Sequence, residues 1–183
     1  MYNNPMFYKD KDNYFVLKVG DKPYKILQLT DLHFGFGILS KKQDKLGMAA
    51  VTKLVKETKP DLIILTGDSI FPYILKTGTR NNIKQTKKLV KFMDGFKIPY
   101  ALLFGNHDVE IGSKGDKEQI SEIILQGKYS IFAKGDKNLP GLGNYIIKLL
   151  RGGTLITINH DNTFSVAPVP LTTVVSKFVR GQD

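Results

Sequence analysis

Apolar positions along this chain follow two periods. Three runs, KILQL at 25–29, DLIIL at 61–65 and YALLF at 100–104, are continuous rather than alternating, as in parallel strands covered on both faces. Between them the spacing becomes helical. Lys41 to Lys59 carries Leu46, Ala49, Ala50, Leu54 and Val55 at helical intervals with lysines opposite, and Pro60 ends the run. Asn81 to Asp94 repeats the pattern through Ile83, Leu89, Val90 and Met93, with an asparagine to cap it and Gly95 to stop it. Strand, helix, strand, helix, strand is the order of crossover units in an α/β protein.

The flanks carry weaker patterns. Tyr14 to Val19 alternates as a strand does, and Gly20-Asp21 predicts a hairpin turning it into the Lys25 strand. Residues 1–12 are polar and tyrosine-rich and read as a flexible N-terminal arm. Ser69 to Arg80 reads as a loop, with Tyr73 as loop packing. Lys117 to Gln126 offers the Ile120, Ile123 and Ile124 face of a short helix. Asn144 to Leu150 and Thr154 to Ile158 form a hairpin across Gly152-Gly153. Beyond Asn162 no period is found, which leaves 13–160 as one folded domain and 161–183 as an irregular tail.

The three central runs all end in chemistry. The first reaches Asp31-Leu32-His33, the second Thr66-Gly67-Asp68, the third Gly105-Asn106-His107-Asp108. In an open α/β sheet, strand ends are where sites form. On an extended segment Asp31 and His33 share one face while Leu32 packs the other way. Singly, each of these residues suits a turn or a helix cap. Three tips loaded with metal-ligand residue types at one sheet edge have a common cause in a metal or acid–base site.

In this order, and each after an apolar strand, Asp31-x-His33, Gly67-Asp68 and Gly105-Asn106-His107-Asp108 resemble the first three motif blocks of the calcineurin-like metallophosphoesterases. Thr30 to Gly35 looks most like the purple-acid-phosphatase-like branch, and the resemblance covers roughly residues 22 to 158. It implies the N-terminal portion of a four-layer α/β/β/α sandwich, with a mixed sheet and crossover helices. It also implies metal-dependent phosphoester hydrolysis, at a monoester or a diester, with two divalent ions such as Mn, Fe or Zn. By the same resemblance Asp31 and His33 bind the first metal, Asp68 bridges, and Asn106 binds the second. His107 then approaches the phosphate and protonates the departing alcohol, while Asp108 orients His107.

The chain also departs from the family. Phe71 stands where purple acid phosphatases proper carry a ligand tyrosine, so no tyrosine-to-iron colour is expected. The Gly-His-x-His block that completes both metals is missing. The chain has three histidines, and His160 alone lies downstream of the third motif. A truncated gene product, a short form completed by another chain and a homologue without catalysis would each account for this.

Composition narrows the setting. With no cysteine, disulfides and thiolate metal sites are excluded and any ion must be held by oxygen and imidazole. No signal-peptide core begins the chain and no stretch approaches the ~20 apolar residues of a membrane span, so a cytoplasmic protein without a membrane partner is expected. The net charge of +10 raises an alternative, a non-catalytic basic module that binds nucleic acid or protein beside a vestigial metal site. The lysines run along the whole chain, however, as on a solvated surface. A phosphoester substrate is therefore favoured over nucleic acid, the positive field helping to draw it in.

Overall fold

The structure, a computed structural model, describes residues 6–20, 22–135, 138, 140–151, 154–158 and 164–168. In chain order the elements are β1 (Phe7–Lys9), β2 (Phe15–Lys18), β3 (Ile26–Leu29), α1 (Lys41–Thr58), β4 (Leu62–Thr66), α2 (Ile74–Thr77), α3 (Asn82–Asp94), β5 (Tyr100–Leu103), a 3-10 turn at His107–Val109, α4 (Lys117–Leu125), β6 (Ile147–Arg151), β7 (Thr154–Ile158) and β8 (Phe164–Pro168). They form two compact units, Lys25–Phe132 in one and Met1–Tyr24 with Ala133–Asp183 in the other.

The Lys25–Phe132 unit holds the three continuous apolar runs. They pair in parallel in the order β3-β4-β5, with Ile26 opposite Leu62 and Ile63 opposite Tyr100. The central strand is the most apolar because parallel strands are covered on both faces; Leu62, Ile63 and Leu65 are fully buried. Leu89 and Met93 of α3 and Ile120 and Ile124 of α4 are buried as well. Asn81 caps α3 by accepting the Lys84 N–H at 3.0 Å. At α4 a reciprocal capping box joins Asp116 and Gln119. α2 is a single turn that carries too few residues to show a period.

Helix α1 forms where its pattern predicts but presents a different face. Leu46 and Leu54 are 63% and 42% exposed, while Asp44, Val51 and Val55 are buried. Asp44 sets this rotation. Its carboxylate accepts the Gly35 N–H at 2.9 Å and the Ser40 hydroxyl at 2.7 Å, fastening the helix to the loop after β3. One turn on, a Cβ on Gly47 would lie 2.9 Å from the Phe34 ring, so glycine lets that buried ring pack against the helix.

The other unit is a mixed sheet in the order β1-β2-β6-β7-β8. Only β2 and β6 are parallel, Phe15 opposite Ile147; the remaining pairs are antiparallel. Three sequence expectations change here. Phe7–Lys9 belongs to a strand rather than to a flexible arm, with Phe7 1% exposed and its ring edge-on to Phe15 at 5.9 Å. The Tyr14 strand pairs with β1 and β6 rather than in a hairpin with β3; β6 lies some 130 residues away, out of reach of any local pattern. Phe164–Pro168 of the expected irregular tail pairs with β7. The β6–β7 hairpin itself is as predicted, and His160 lies outside the described residues. An α/β chain with crossover helices and a mixed sheet, as expected, is thus what these residues build.

Candidate metal centre

The loops after β3 and β4 run side by side. Main-chain bonds from Asp31 N–H to Gly67 O (3.2 Å), His33 N–H to Asp68 O (2.9 Å) and Phe34 N–H to Ser69 O (3.2 Å) continue the strand pairing past the sheet edge. The backbone is not extended there. Asp31, His33 and Asp68 have φ of 54°, 47° and 51°, a left-handed conformation that costs an L-residue about 1–2 kcal/mol. Asp31 and His33 do meet, but through two left-handed residues rather than through strand alternation. Such strain at three adjacent polar residues marks a place where geometry is held by its surroundings.

The third tip is tied to the second by exchange. Asp68 Oδ1 accepts the His107 N–H at 2.8 Å. In return the Asp108 carboxylate accepts the amides of Asp68 (3.0 Å), Ile70 (3.0 Å) and Gly105 (2.8 Å). Gly105 is required for this approach, since a Cβ there would lie 2.0 Å from Asp68 Oδ1. Behind the loop, fully buried Asn82 donates to Gly115 O at 2.7 Å and to Asp108 O at 3.3 Å, and accepts the Gly115 N–H. Gln85, also of α3, donates to Gly35 O and Phe71 O. Sequence reasoning passed over Asn82 and Gln85, which look like polar residues of a solvated helix face; their helical spacing with Leu89 is the signal that they face inward.

His33 Nε2 lies 3.8 Å from Asp31 Oδ1 and 3.7 Å from Asp68 Oδ2. One donor atom each from His33, Asp68 and His107 fall within 4.8 Å of one another. Asp68 is only 9% exposed, whereas the Asp31 carboxylate is 60% exposed. Asn106 is exposed at the start of the 3-10 turn, beside the amide that binds Asp68. The rings pack as a group: His33 stacks on Phe71 at 5.1 Å, His107 stands edge-on to Phe71 at 5.0 Å and to His33 at 5.2 Å, and Tyr73 stacks on Phe71 at 5.6 Å.

One expected role moves. Asp108 is 3% exposed and both its oxygens face backbone amides. The carboxylate at His107 Nδ1 belongs instead to Glu110. Burial pushes the Asp108 carboxyl up from its ordinary value of 3.8, outweighing the amides that pull it down, with the Asp68 charge adding to the rise. Asp108 therefore orders the loop between the second and third tips, and the neighbour of the His107 ring was missed because it lies two positions beyond the recognised block.

The donor set suits a divalent first-row ion. Imidazole and carboxylate are its usual partners, and the 3.7 Å separation of His33 and Asp68 is close to the about 3–3.5 Å edges implied by bonds near 2.1 Å. His33 and Asp68 can thus share a metal, with the His107 ring close beside it.

Fold and strand-end residues together point to one protein family. The family model for calcineurin-like phosphoesterases matches residues 24–175, and the chain belongs to that family. Among curated relatives, Phosphatase DCR2 of Saccharomyces cerevisiae is 33% identical over 143 residues, 69% of this chain and 23% of that protein. Two Arabidopsis thaliana proteins, named Probable inactive purple acid phosphatase 28 and 29, are 25% and 26% identical over 70% and 69% of this chain. These matches take in 36% and 35% of the two plant proteins, so the chain spans about a third or less of these relatives. No solved structure matches it significantly. Among the described residues no helix is long and apolar enough to cross a membrane.

Proposed function

We propose that this chain carries a metal-dependent phosphoester hydrolase site. Asp31, His33, Asp68 and Asn106 would hold two divalent ions, with Asp68 shared between them. The convergence of His33, Asp68 and His107 at the ends of three parallel strands carries the reading. When bound, divalent metal supplies Lewis-acid polarisation of the phosphoryl group.

The chain's own residues supply position and a proton. His107 delivers a proton from Nε2 to the ester oxygen as the P–O bond breaks, while water adds to phosphorus; alcohol and phosphate leave. Asp68 binds the His107 amide and so fixes where that ring begins. Phe71 shields one side of both imidazoles from water. Asp108 and Gly105 hold the third tip against the second, a structural part in which no proton is exchanged with substrate. A cytoplasmic setting belongs to the same reading, and the cysteine-free sequence is compatible with a reducing compartment.

A chromogenic aryl phosphate with Mn, Fe or Zn added after chelation tests this. Turnover should require the metal and fall about 10²–10⁴-fold in His107→Ala. Unchanged turnover in that variant rejects the assignment. The names of the two plant relatives favour one other reading, a non-catalytic basic module with a vestigial site. Tight nucleic-acid binding that weakens steeply with salt, with no metal by elemental analysis, would select it.

A further inference from the structure

We propose that Glu110 is the positioning residue for His107, fixing the ring's tautomer and direction so that Nε2 faces the metal centre. The proposal deepens the hydrolase reading and uses its assignment of His107.

Local geometry brings the pair together. His107 opens a one-turn 3-10 helix, in which side chains three residues apart eclipse one another. Glu110 is three residues on, and its backbone has already left the helix for an extended conformation (φ −62°, ψ 153°). The Glu110 carbonyl accepts both the N–H of Ser113 at 2.9 Å and its hydroxyl at 2.5 Å, which holds the residue in place. Its Oε1 meets His107 Nδ1 while its side chain is 25% exposed, so the bond is partly shielded from water.

A neutral imidazole carries one N–H, and a carboxylate can only accept. Contact with Glu110 therefore keeps hydrogen on Nδ1, in the neutral ring as in the protonated one, and leaves Nε2 as the nitrogen that exchanges a proton with substrate. Phe71 and His33 confine the ring from two further directions. No other carboxylate is recorded at that nitrogen among the described residues, since Asp108 faces amides. The arrangement follows the general rule that a working histidine is oriented through its second nitrogen.

The test reads the ring directly. Long-range ¹H–¹⁵N spectra of the metal-free full chain, taken at about pH 8.5, some two units above an ordinary histidine pKa, report each ring's tautomer. With three histidines in the sequence, single substitutions assign the signals. His107 should be in the Nδ1–H form in the wild type and shift toward the Nε2–H form in Glu110→Ala. A wild-type ring in the Nε2–H form overturns the proposal, as does an Ala variant that keeps Nδ1–H. The wild-type spectrum decides even if the variant fails to fold. In metal-loaded protein, Glu110→Ala should lower kcat for an aryl phosphate about 10–100-fold with KM within about twofold, and should add nothing in a His107→Ala background. Should His107→Ala leave turnover intact, the hydrolase reading falls while the tautomer still judges Glu110.

Discussion

Asparagine at position 108 separates a structural carboxylate from a catalytic one. Asp108 accepts three buried amides: Oδ2 takes Asp68 and Gly105, and Oδ1 takes Ile70. Asparagine can keep the first two through its carbonyl oxygen, but its NH₂ then faces the Ile70 N–H, donor against donor. Leaving that amide unmet costs about 1–3 kcal/mol. The two remaining bonds weaken on becoming neutral, while removing a buried charge returns a comparable amount. The expected net loss is about 1–3 kcal/mol, equivalent to roughly 2–12 °C in Tm for a chain of this size. Alanine should be worse, at about 3–5 kcal/mol. It strands all three amides and opens onto an existing cavity of about 10 Å³ lined by Ile70, Thr86, Leu89, Leu102, Phe104, Ile120 and Ile124, where one water can limit the damage.

The assay is urea unfolding of chelated protein followed by circular dichroism, read as a fall in midpoint at constant m. Its pH dependence has a definite sign. Burial raises the native carboxyl above the 3.8 of the unfolded chain, so between the two values the native state binds more protons and stability falls as pH rises. The advantage of wild type over Asp108→Asn should thus be greatest below 3.8 and shrink as pH climbs through the raised native value. An Asn variant within about 0.5 kcal/mol of wild type would refute the structural role. An advantage that grows with pH across that window would refute the claim that burial dominates.

Four further outcomes are expected. Asp31→Gly should be about 1 kcal/mol more stable than Asp31→Ala by thermal unfolding, because φ at this exposed residue is 54° and only glycine adopts it freely. Gly105→Ala should cost at least about 2 kcal/mol in the same assay and weaken Mn or Zn binding by calorimetry, since its Cβ would sit 2.0 Å from Asp68 Oδ1. In the other unit, partial burial pushes the Asp10 carboxyl up, but the Lys148 ammonium, whose Nζ also lies 4.7 Å over the Tyr14 ring, and the Tyr14 amide bring it below 3.8. Lys148→Met should therefore lose about 1 kcal/mol near neutral pH, a difference that fades as pH falls past 3.8 through the lowered native value. Leu46→Lys should unfold within about 0.5 kcal/mol of wild type, because Leu46 is 63% exposed despite its place in the apolar stripe.

By itself the sequence determined the three apolar strands, the helices between them and the order in which Asp31, His33, Asp68, Asn106 and His107 arrive at strand ends. Those features are local: a continuous apolar run, a 3.6-residue period, a cap and a stop are all written within about twenty neighbouring residues. Tertiary structure decided what depends on distant parts meeting. Asp44 turned α1 by binding Gly35 and Ser40, against the face its leucines suggest. β2 found β6 far along the chain. Left-handed backbone at Asp31, His33 and Asp68 comes from two loops held in register, which no propensity of those residues requires. The carboxylate that reaches His107 was decided the same way: Asp108 stands next to it in sequence but turns inward to three amides, and the 3-10 turn carries Glu110 round to the ring. Patterns name the residues that arrive at a site, and the direction of each side chain follows from the backbone it must satisfy on the way.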